Sequence, residues 1–415
     1  MVVHPNLPRI MAVHKMTMGF IFILTYMCFL TPVHQAQRAK SGTISHLSFK
    51  NMDFAMKLYR KISTYHDKNI FFSPLSISTS FAALLMASDG VTHEELLRGL
   101  NLEQLERADQ PELIPQLFQL LNENITRNGS LKLDQSMALF MRQQFQVEKQ
   151  FEDQIKKFFD ADIKTVDFAD AKGTVKVIND YIKQKTEDKV TEVISSLDAQ
   201  TQLMLINTIF FQGAWQLPFN PNFTRSAPFY IDNYNIVQVQ MMFKEDKFYT
   251  LEDPTLGAKM LKLPYQEGVS MLILLPNKDT DYTVIDDEIS ARKFLNWVRM
   301  LRKMKLEVNM PKFKMEQSYS LHNLLPDMGM ASIFSNAANL TRLSKNSSIK
   351  VSEVLHKAVI EVDELGTIAA ATTTVGIIPY SLPRTFIIDR PFFFFIYHEE
   401  TNCLLFMGRV IDPTK

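Results

Sequence analysis

The sequence has little cysteine and no excess charge of either sign. Only two of its 415 residues are cysteines, Cys28 and Cys403. Because Cys28 falls in a segment that we expect to be removed, the mature chain cannot form an internal disulfide. The 45 basic residues balance the 45 acidic ones, which argues against a nucleic-acid binder that depends on neutralising phosphates. Because no internal disulfide is available, packing must supply the stability of the fold.

Linkers and catalytic motifs are also missing. No Pro-, Gly- or Ser-rich linker divides the chain into halves, and a single large domain is therefore expected. The sequence lacks a glycine-rich phosphate loop, a two-histidine zinc helix and a Gly-x-Ser-x-Gly nucleophile elbow. His93-Glu94-Glu95 has no second histidine one turn later, so we interpret it as an exposed helix start. We predict no catalytic residues, no metal, no organic cofactor and no enzymatic activity.

The N-terminal segment is typical of a secretory signal. Lys15 precedes the uncharged, largely apolar stretch 16–30, which is shorter than the roughly 20 residues that a membrane span needs. We predict a signal peptide at 1–36, cleaved near Ala36, and a short extension at 37–45. Five acceptor sequences for N-glycosylation also favour an extracellular glycoprotein. Their asparagines are Asn124, Asn128, Asn222, Asn339 and Asn346.

Helical and strand patterns alternate along the rest of the chain, which indicates an α+β fold. Apolar residues recur at helical spacing in 54–62, 74–86, 112–121, 148–159, 174–185 and 291–304. Strand-like stretches occupy 203–211, 238–242, 270–275, 305–310, 385–388, 392–397 and 404–410. The last two of these stretches are separated by a polar turn, as in a buried hairpin.

One long segment near the C-terminus carries no charge. No charged residue occurs between Glu364 and Arg384, although 22% of the chain is charged. Prolines precede and closely follow the pair Tyr380–Ser381, and they favour the extended backbone that a protease active site binds. Side chains on one face are small enough to enter a sheet: Thr367, Ala369, Ala371 and Thr373. From composition alone, a buried strand or a flexible connector is the more frequent explanation.

Several motifs in this chain occur together in one protein family. They are Asn-Ile-Phe-Phe-Ser-Pro-Leu-Ser at 69–76, Asn-Thr-Ile-Phe-Phe at 207–211, Met-Pro-Lys-Phe at 310–313, Leu-His-Lys-Ala-Val-Ile-Glu-Val at 355–362, Asp-Arg-Pro-Phe at 389–392 and Leu-Phe-Met-Gly-Arg-Val at 405–410. On these motifs the chain resembles the serpins over nearly all of 46–415, which we take as the serpin domain. The resemblance implies an α+β fold with three β-sheets, about eight to nine helices and an exposed reactive-centre loop at 364–384.

The resemblance also implies a mechanism of protease inhibition. The hinge residues of the family correspond here to Glu364, Gly366, Thr367, Ala369, Ala370 and Ala371. Fourteen residues separate Gly366 from Tyr380, the usual inhibitory length, so Tyr380–Ser381 is the expected reactive bond. A protease that attacks this bond would be trapped when the cleaved loop inserts into the main sheet. Ser73, Asn207 and His356 match positions where that sheet opens, and each would otherwise be an ordinary buried polar residue.

Within the family, the chain resembles plasma anticoagulants that inhibit factors Xa and XIa with protein Z as a macromolecular cofactor. The Tyr-Ser reactive bond supports this resemblance. Asp232 and Tyr234 match positions of the protein Z surface in those relatives, although a polar turn between strands is an equally good interpretation. We expect a secreted monomer.

Two other functions remain open. The first is inhibition of chymotrypsin-like proteases such as cathepsin G or chymase without a cofactor, because tyrosine suits their specificity pocket. The second is a non-inhibitory carrier or chaperone. Heparin binding is not expected, since residues 112–127 contain one basic residue. The more basic stretch of Arg292, Lys293, Arg299, Arg302, Lys303 and Lys305 is interpreted as an exposed helix face.

Overall fold

The computed structural model describes residues 43–127, 132–345, 349–365 and 384–415. Two units divide the chain, Met1–His46 and Leu47–Lys415. The second unit contains all the strands described below. The predicted signal peptide, at 1–36, lies outside the described residues.

Eight α-helices occur among the described residues. They are α1 (43–65), α2 (Pro74–Ala87), α3 (Gly90–Gly99), α4 (Leu113–Thr126), α5 (Lys149–Phe159), α6 (Ala171–Lys185), α7 (Tyr282–Glu288) and α8 (Ala291–Met300). None of them combines the length and the apolarity that a membrane crossing requires. Helix α2 begins where the Ser73 hydroxyl accepts a hydrogen bond from the Ser76 amide and Pro74 takes the first helical position.

The helix predicted over 291–304 is wrong at its C-terminal end. Helix α8 ends at Met300, and the backbone of Leu301 is no longer helical (φ −55°, ψ 136°). Three residues of the predicted basic helix face therefore lie on the next strand: Arg302, Lys303 and Lys305. Their side chains are exposed, but they belong to a strand and do not form one face of a helix.

The described strands number fourteen. They are β1 (Ile70–Phe72), β2 (Lys132–Arg142), β3 (Asp162–Val166), β4 (Leu203–Gln212), β5 (Arg225–Tyr230), β6 (Ile236–Asp253), β7 (Ala258–Pro264), β8 (Val269–Pro276), β9 (Arg302–Pro311), β10 (Phe313–Ser320), β11 (Val351–Val362), β12 (Arg384–Ile387), β13 (Phe392–His398) and β14 (Cys403–Val410).

Five strands form one sheet in the order β10-β11-β4-β2-β3. Strands β4 and β11 are direct neighbours and run parallel, with Asn207 opposite His356 and Phe211 opposite Ile360. We call the line between these two strands the seam. Because neighbouring strands lie about 4.8 Å apart, another strand can enter here only if β4 and β11 separate.

The other nine strands form a second sheet, in which β5 pairs with β6 beside the order β1-β14-β13-β8-β7-β6-β9-β12. The α+β serpin fold is confirmed, but the described strands make two hydrogen-bonded sheets where we expected three. The reason is β6, which is 18 residues long. One end of it pairs with β5 and the other with β7, so it joins strands that would otherwise form separate sheets.

The predicted C-terminal hairpin is confirmed and lies at the centre of the core. All residues of β13 and β14 are buried. Helix α2 packs against both β14 and β4, and twelve of its fourteen residues are buried. Because α2 lies between the two sheets, its buried polar side chains must find their partners within the protein.

Candidate functional site

A group of polar side chains lies between helix α2 and the seam. We call it the buried cluster, and its members are no more than 1% exposed. They are Ser73, Ser76, Ser80, Asn207 and His356. Polar groups so far from water must find hydrogen-bond partners within the protein.

The histidine and the asparagine are the centre of the buried cluster. The Ser73 amide donates to Nε2 of His356 at 3.1 Å, so the ring proton is on Nδ1, which donates to Oδ1 of Asn207 at 2.8 Å. The Asn207 amide donates to the Ser80 hydroxyl at 2.9 Å, and Oδ1 also accepts from the Ser76 hydroxyl at 2.6 Å. Burial lowers the pKa of His356 to about 3, and the ring is therefore neutral at physiological pH.

The bond between His356 and Asn207 crosses the seam, since the two residues are register partners on β11 and β4. A strand that entered between β4 and β11 would break this bond. The three residues predicted to lie where the sheet opens are thus brought together in one network. Sequence reasoning missed Ser76 and Ser80, although serines at 73, 76 and 80 have the spacing of one face of the helix that begins at Pro74.

A second set of contacts holds the chain just beyond the end of β11. The carbonyls of three consecutive residues accept hydrogen bonds from the segment that follows β4. Trp215 Nε1 donates to Asp363 O at 2.8 Å, the Phe219 amide to Glu364 O at 2.8 Å, and the Trp215 amide to Leu365 O at 3.3 Å. The backbone that leads into the predicted hinge is therefore fixed up to residue 365.

The Glu364 side chain adds two contacts to this region. The Thr224 hydroxyl donates to Oε1 at 2.7 Å, and Lys312 Nζ lies 2.7 Å from Oε2. Burial by itself would raise the pKa of Glu364, but the hydrogen bonds from Lys312 and Thr224 outweigh burial and lower it. Glu364 is only 7% exposed, and its carboxylate is thus ionised and paired. We call this set the latch: Trp215, Phe219, Thr224, Lys312 and residues 363–365.

Aromatic packing supports the latch. The Trp215 ring stacks on Tyr265 with centroids 4.1 Å apart and planes 11° apart, and it meets Phe219 edge to face at 6.3 Å. Sequence analysis assigned Glu364 to the hinge but missed Lys312, because nothing in the sequence shows which cation approaches a given carboxylate.

The reactive bond and most of the hinge lie outside the described residues. This applies to Tyr380 and Ser381 and to the hinge positions Gly366, Thr367, Ala369, Ala370 and Ala371. The flanking strands are described: β11 belongs to the five-stranded sheet, and β12 pairs in parallel with β9 of the other sheet. Residues 366–383 therefore connect strands of two different sheets.

Asp232 and Tyr234 lie in the turn between β5 and β6. Asp232 Oδ1 accepts from the amides of Tyr234 and Asn235, both at 2.7 Å. The Asn235 side chain and these amides lower the pKa of Asp232. The turn holds Tyr234 outward, with 93% of the residue exposed.

Three of the five predicted glycosylation sites are described. Asn222 is exposed in a short 3-10 helix, Pro221–Phe223. Asn124, on α4, and Asn339 are half-buried, and Asn339 Oδ1 accepts a hydrogen bond from the hydroxyl of Thr341 in its own acceptor sequence. Asn128 and Asn346 lie outside the described residues.

Comparison with known proteins agrees with this geometry. A family model described as "Serpin (serine protease inhibitor)" matches residues 49–413. The protein Z-dependent protease inhibitor of Mus musculus is 36% identical over 369 residues, which are 89% of this chain and 82% of that protein. Its crystal structure matches with a TM-score of 0.84 at 34% identity over 91% of this chain and 99% of that chain. Human thyroxine-binding globulin, solved with thyroxine, gives 0.83 at 30% identity over 90% and 100%.

Proposed function

The chain belongs to the serpin family of serine protease inhibitors, and we propose that it is a secreted inhibitor whose reactive bond is Tyr380–Ser381. The observation that carries the proposal is the direct pairing of β4 with β11. The latch holds residues 363–365 at the end of that seam, so the chain that follows residue 365 starts beside the place where a new strand would enter. Insertion of a loop into a sheet is a known way of releasing stored strain.

The proposed reaction has two competing outcomes. The serine of the protease attacks the Tyr380 carbonyl, the bond to Ser381 breaks, and Ser381 leaves with a free amino group while Tyr380 remains as an acyl ester. Water would hydrolyse that ester and release an active enzyme. Insertion of 367–380 between β4 and β11 spans about 45 Å, which carries the bound protease away from its docking position before hydrolysis.

We propose factor Xa as the target, with factor XIa as a second one, and protein Z as the macromolecular cofactor of an anticoagulant reaction. The supporting observations are the similarity to protein Z-dependent protease inhibitors and the outward position of Tyr234. Tyrosine fits poorly in a pocket built for arginine. A cofactor that holds inhibitor and protease together would compensate by raising their effective concentration.

Denaturing electrophoresis tests the inhibitory function directly. The secreted chain is mixed with factor Xa, with or without protein Z, calcium and phospholipid, and separately with chymotrypsin and cathepsin G. We expect a stable covalent band with factor Xa that forms faster with the cofactors, and a released fragment that begins at Ser381. The matched variant Thr367→Arg puts a long charged side chain on the inserting face and should be cleaved without forming a complex.

The same assay separates the alternatives. A complex with cathepsin G but no effect of protein Z would favour the chymotrypsin-like target class, because tyrosine suits that pocket. Cleavage by every protease without a complex would overturn the inhibitory function and favour a carrier. Tyr234→Ala should abolish acceleration by protein Z and leave the reaction without cofactor unchanged, whereas Tyr249→Ala, at a tyrosine on β6, should leave both unchanged.

A further inference from the structure

The glycosylation acceptor at Asn222 differs from the other two that the structure describes. Asn222 is exposed, whereas Asn124 and Asn339 are half-buried. The backbone amide of Asn222 donates a hydrogen bond to Asn220 Oδ1 at 3.0 Å. A glycan attached to Asn222 would extend from this ordered turn.

This acceptor sequence is physically joined to the latch. Its third residue is Thr224, whose hydroxyl donates to Glu364 Oε1 at 2.7 Å, and the Thr224 amide donates to Pro221 O at 3.1 Å. Since consecutive Cα atoms are 3.8 Å apart, the Cα atoms of Asn222 and Thr224 are separated by at most about 7.6 Å. The glycan attachment point is therefore two residues from Thr224, whose hydroxyl binds the Glu364 carboxylate at the end of the seam.

The pairing of the seam ends on the side of the latch. The pairing of β4 with β11 stops at Phe211 and Ile360, whereas β11 continues to Val362 paired only with β10. Backbone groups beyond the last pair are a starting point for β-augmentation by an added strand. The chain's own loop reaches this point through Leu365, which Trp215 holds against the protein. A strand from another molecule has to approach from the solvent.

We propose that the N-glycan on Asn222 shields the open end of the seam from a strand supplied by a second copy of this chain. The chain's own loop is attached inside the shielded region and is not hindered. The inference rests on the proposed loop insertion and on glycosylation of Asn222. It makes the glycan a barrier to self-association, because bulky glycans occupy the surface from which a second molecule would approach.

Four substitutions separate the glycan from the hydroxyl. Asn222→Gln removes the glycan and keeps the bond between Thr224 and Glu364. Thr224→Ala removes both, whereas Thr224→Ser keeps an acceptor sequence and a hydroxyl. Asn124→Gln removes a predicted glycan from α4 and serves as the matched control.

The test measures oligomer formation by the full-length secreted chain. Peptide mass analysis first determines whether Asn222 carries a glycan, and native electrophoresis then follows oligomers during incubation below the unfolding midpoint. We expect Asn222→Gln to form oligomers severalfold faster than the wild type and Thr224→Ala faster still, whereas Thr224→Ser and Asn124→Gln keep the wild-type rate. Formation of the covalent protease complex should be unchanged in Asn222→Gln.

Enzymatic deglycosylation of the folded wild type gives a second route that does not depend on folding of a variant, and it should also speed oligomer formation. An unmodified Asn222 in the secreted protein, or equal oligomer formation by the wild type and Asn222→Gln, would overturn the proposal. Failure of the inhibitory function would appear separately, as absence of a covalent complex in all variants.

Discussion

The buried cluster and the latch hold the same seam in different ways. The buried cluster crosses the seam with neutral groups, and burial keeps His356 uncharged. The latch holds the end of the seam with an ion pair between Glu364 and Lys312, whose side chain is 38% exposed. One region therefore depends on the exclusion of water, and the other depends on charge at the protein surface.

This difference separates two steps of the proposed insertion. The latch restrains the start of the loop, and water and salt can weaken it because it is partly exposed. The bond across the seam has no solvent access and breaks only when β4 and β11 move apart. We therefore expect changes in the buried cluster to affect stability most, and changes in the latch to affect the timing of insertion most.

The largest effect is expected from His356→Ala. This substitution leaves the Ser73 amide without its partner in the interior and removes one of the two donors to Asn207 Oδ1. An unpaired buried group costs about 1–3 kcal/mol, and the lost imidazole ring leaves a cavity at the seam. The thermal unfolding midpoint, measured by circular dichroism, should fall strongly. His398→Ala removes a buried histidine whose Nδ1 bonds the Thr401 hydroxyl, three residues away on the same turn, and should cost less. An equal fall of the midpoint in the two variants would contradict the expectation that the buried cluster contributes most to stability.

Glu364→Ala should have a smaller effect on stability and a larger one on activity. Removing the carboxylate frees Lys312, which is exposed enough to be solvated, so we expect a loss of about 1–2 kcal/mol. Because the start of the loop is then less restrained, the inhibitor should lose activity faster during incubation without protease. Glu361→Ala, at an exposed position on β11, is the matched control. Residual inhibitory activity against time is the measurement.

The two regions should also differ in their response to pH. The pKa of His356 is about 3 in the folded state, below its usual 6.5, so stability falls as pH decreases through this range, by up to about 1.4 kcal/mol per pH unit. The lowered pKa of Glu364 gives stability that is present above its unfolded pKa, near 4.5, and is lost as pH falls through its folded pKa.

Thermal midpoints at about pH 7 and about pH 5 separate these contributions. The decrease between the two conditions should be smaller in His356→Gln than in the wild type, and it should be unchanged in Glu364→Gln. His398, whose pKa burial also lowers, should account for part of the remaining decrease. If the midpoint of His356→Gln fell as much between the two pH values as that of the wild type, His356 would not be the main acid-sensitive group.

The smallest expected effects come from single hydroxyls. Ser76→Ala removes the donor to Asn207 Oδ1 at 2.6 Å, and Thr224→Val removes the donor to Glu364 at 2.7 Å while nearly keeping its shape. A bond between neutral groups is worth about 1 kcal/mol and a bond to a carboxylate about 1.5–3 kcal/mol, but water can replace only the one in the latch. Urea unfolding should therefore show the larger loss for Ser76→Ala, and the reverse order would contradict the difference in water access.

The α+β fold and the residues at the centre of the seam could be predicted because both are indicated by short motifs in the sequence. Ser73, Asn207 and His356 come from three separate motifs, and the resemblance was needed to bring them together. The partner of Glu364 was not predictable, since Lys312 approaches it through tertiary packing. The strand predicted at 305–310 is present, but its first three residues, 302–304, were assigned to the preceding helix. A basic stretch that follows a helix has no periodicity of its own, and pairing with β6 determines its conformation.

The measurement that most directly tests insertion at the seam is the thermal unfolding midpoint before and after cleavage at Tyr380–Ser381. If the cleaved loop becomes a strand between β4 and β11, two rows of backbone hydrogen bonds replace the single row that joins these strands in the intact chain. The net gain of one row more than offsets the lost bond between His356 and Asn207, and the midpoint should rise well above that of the intact chain. An unchanged or lower midpoint after complete cleavage would contradict the account.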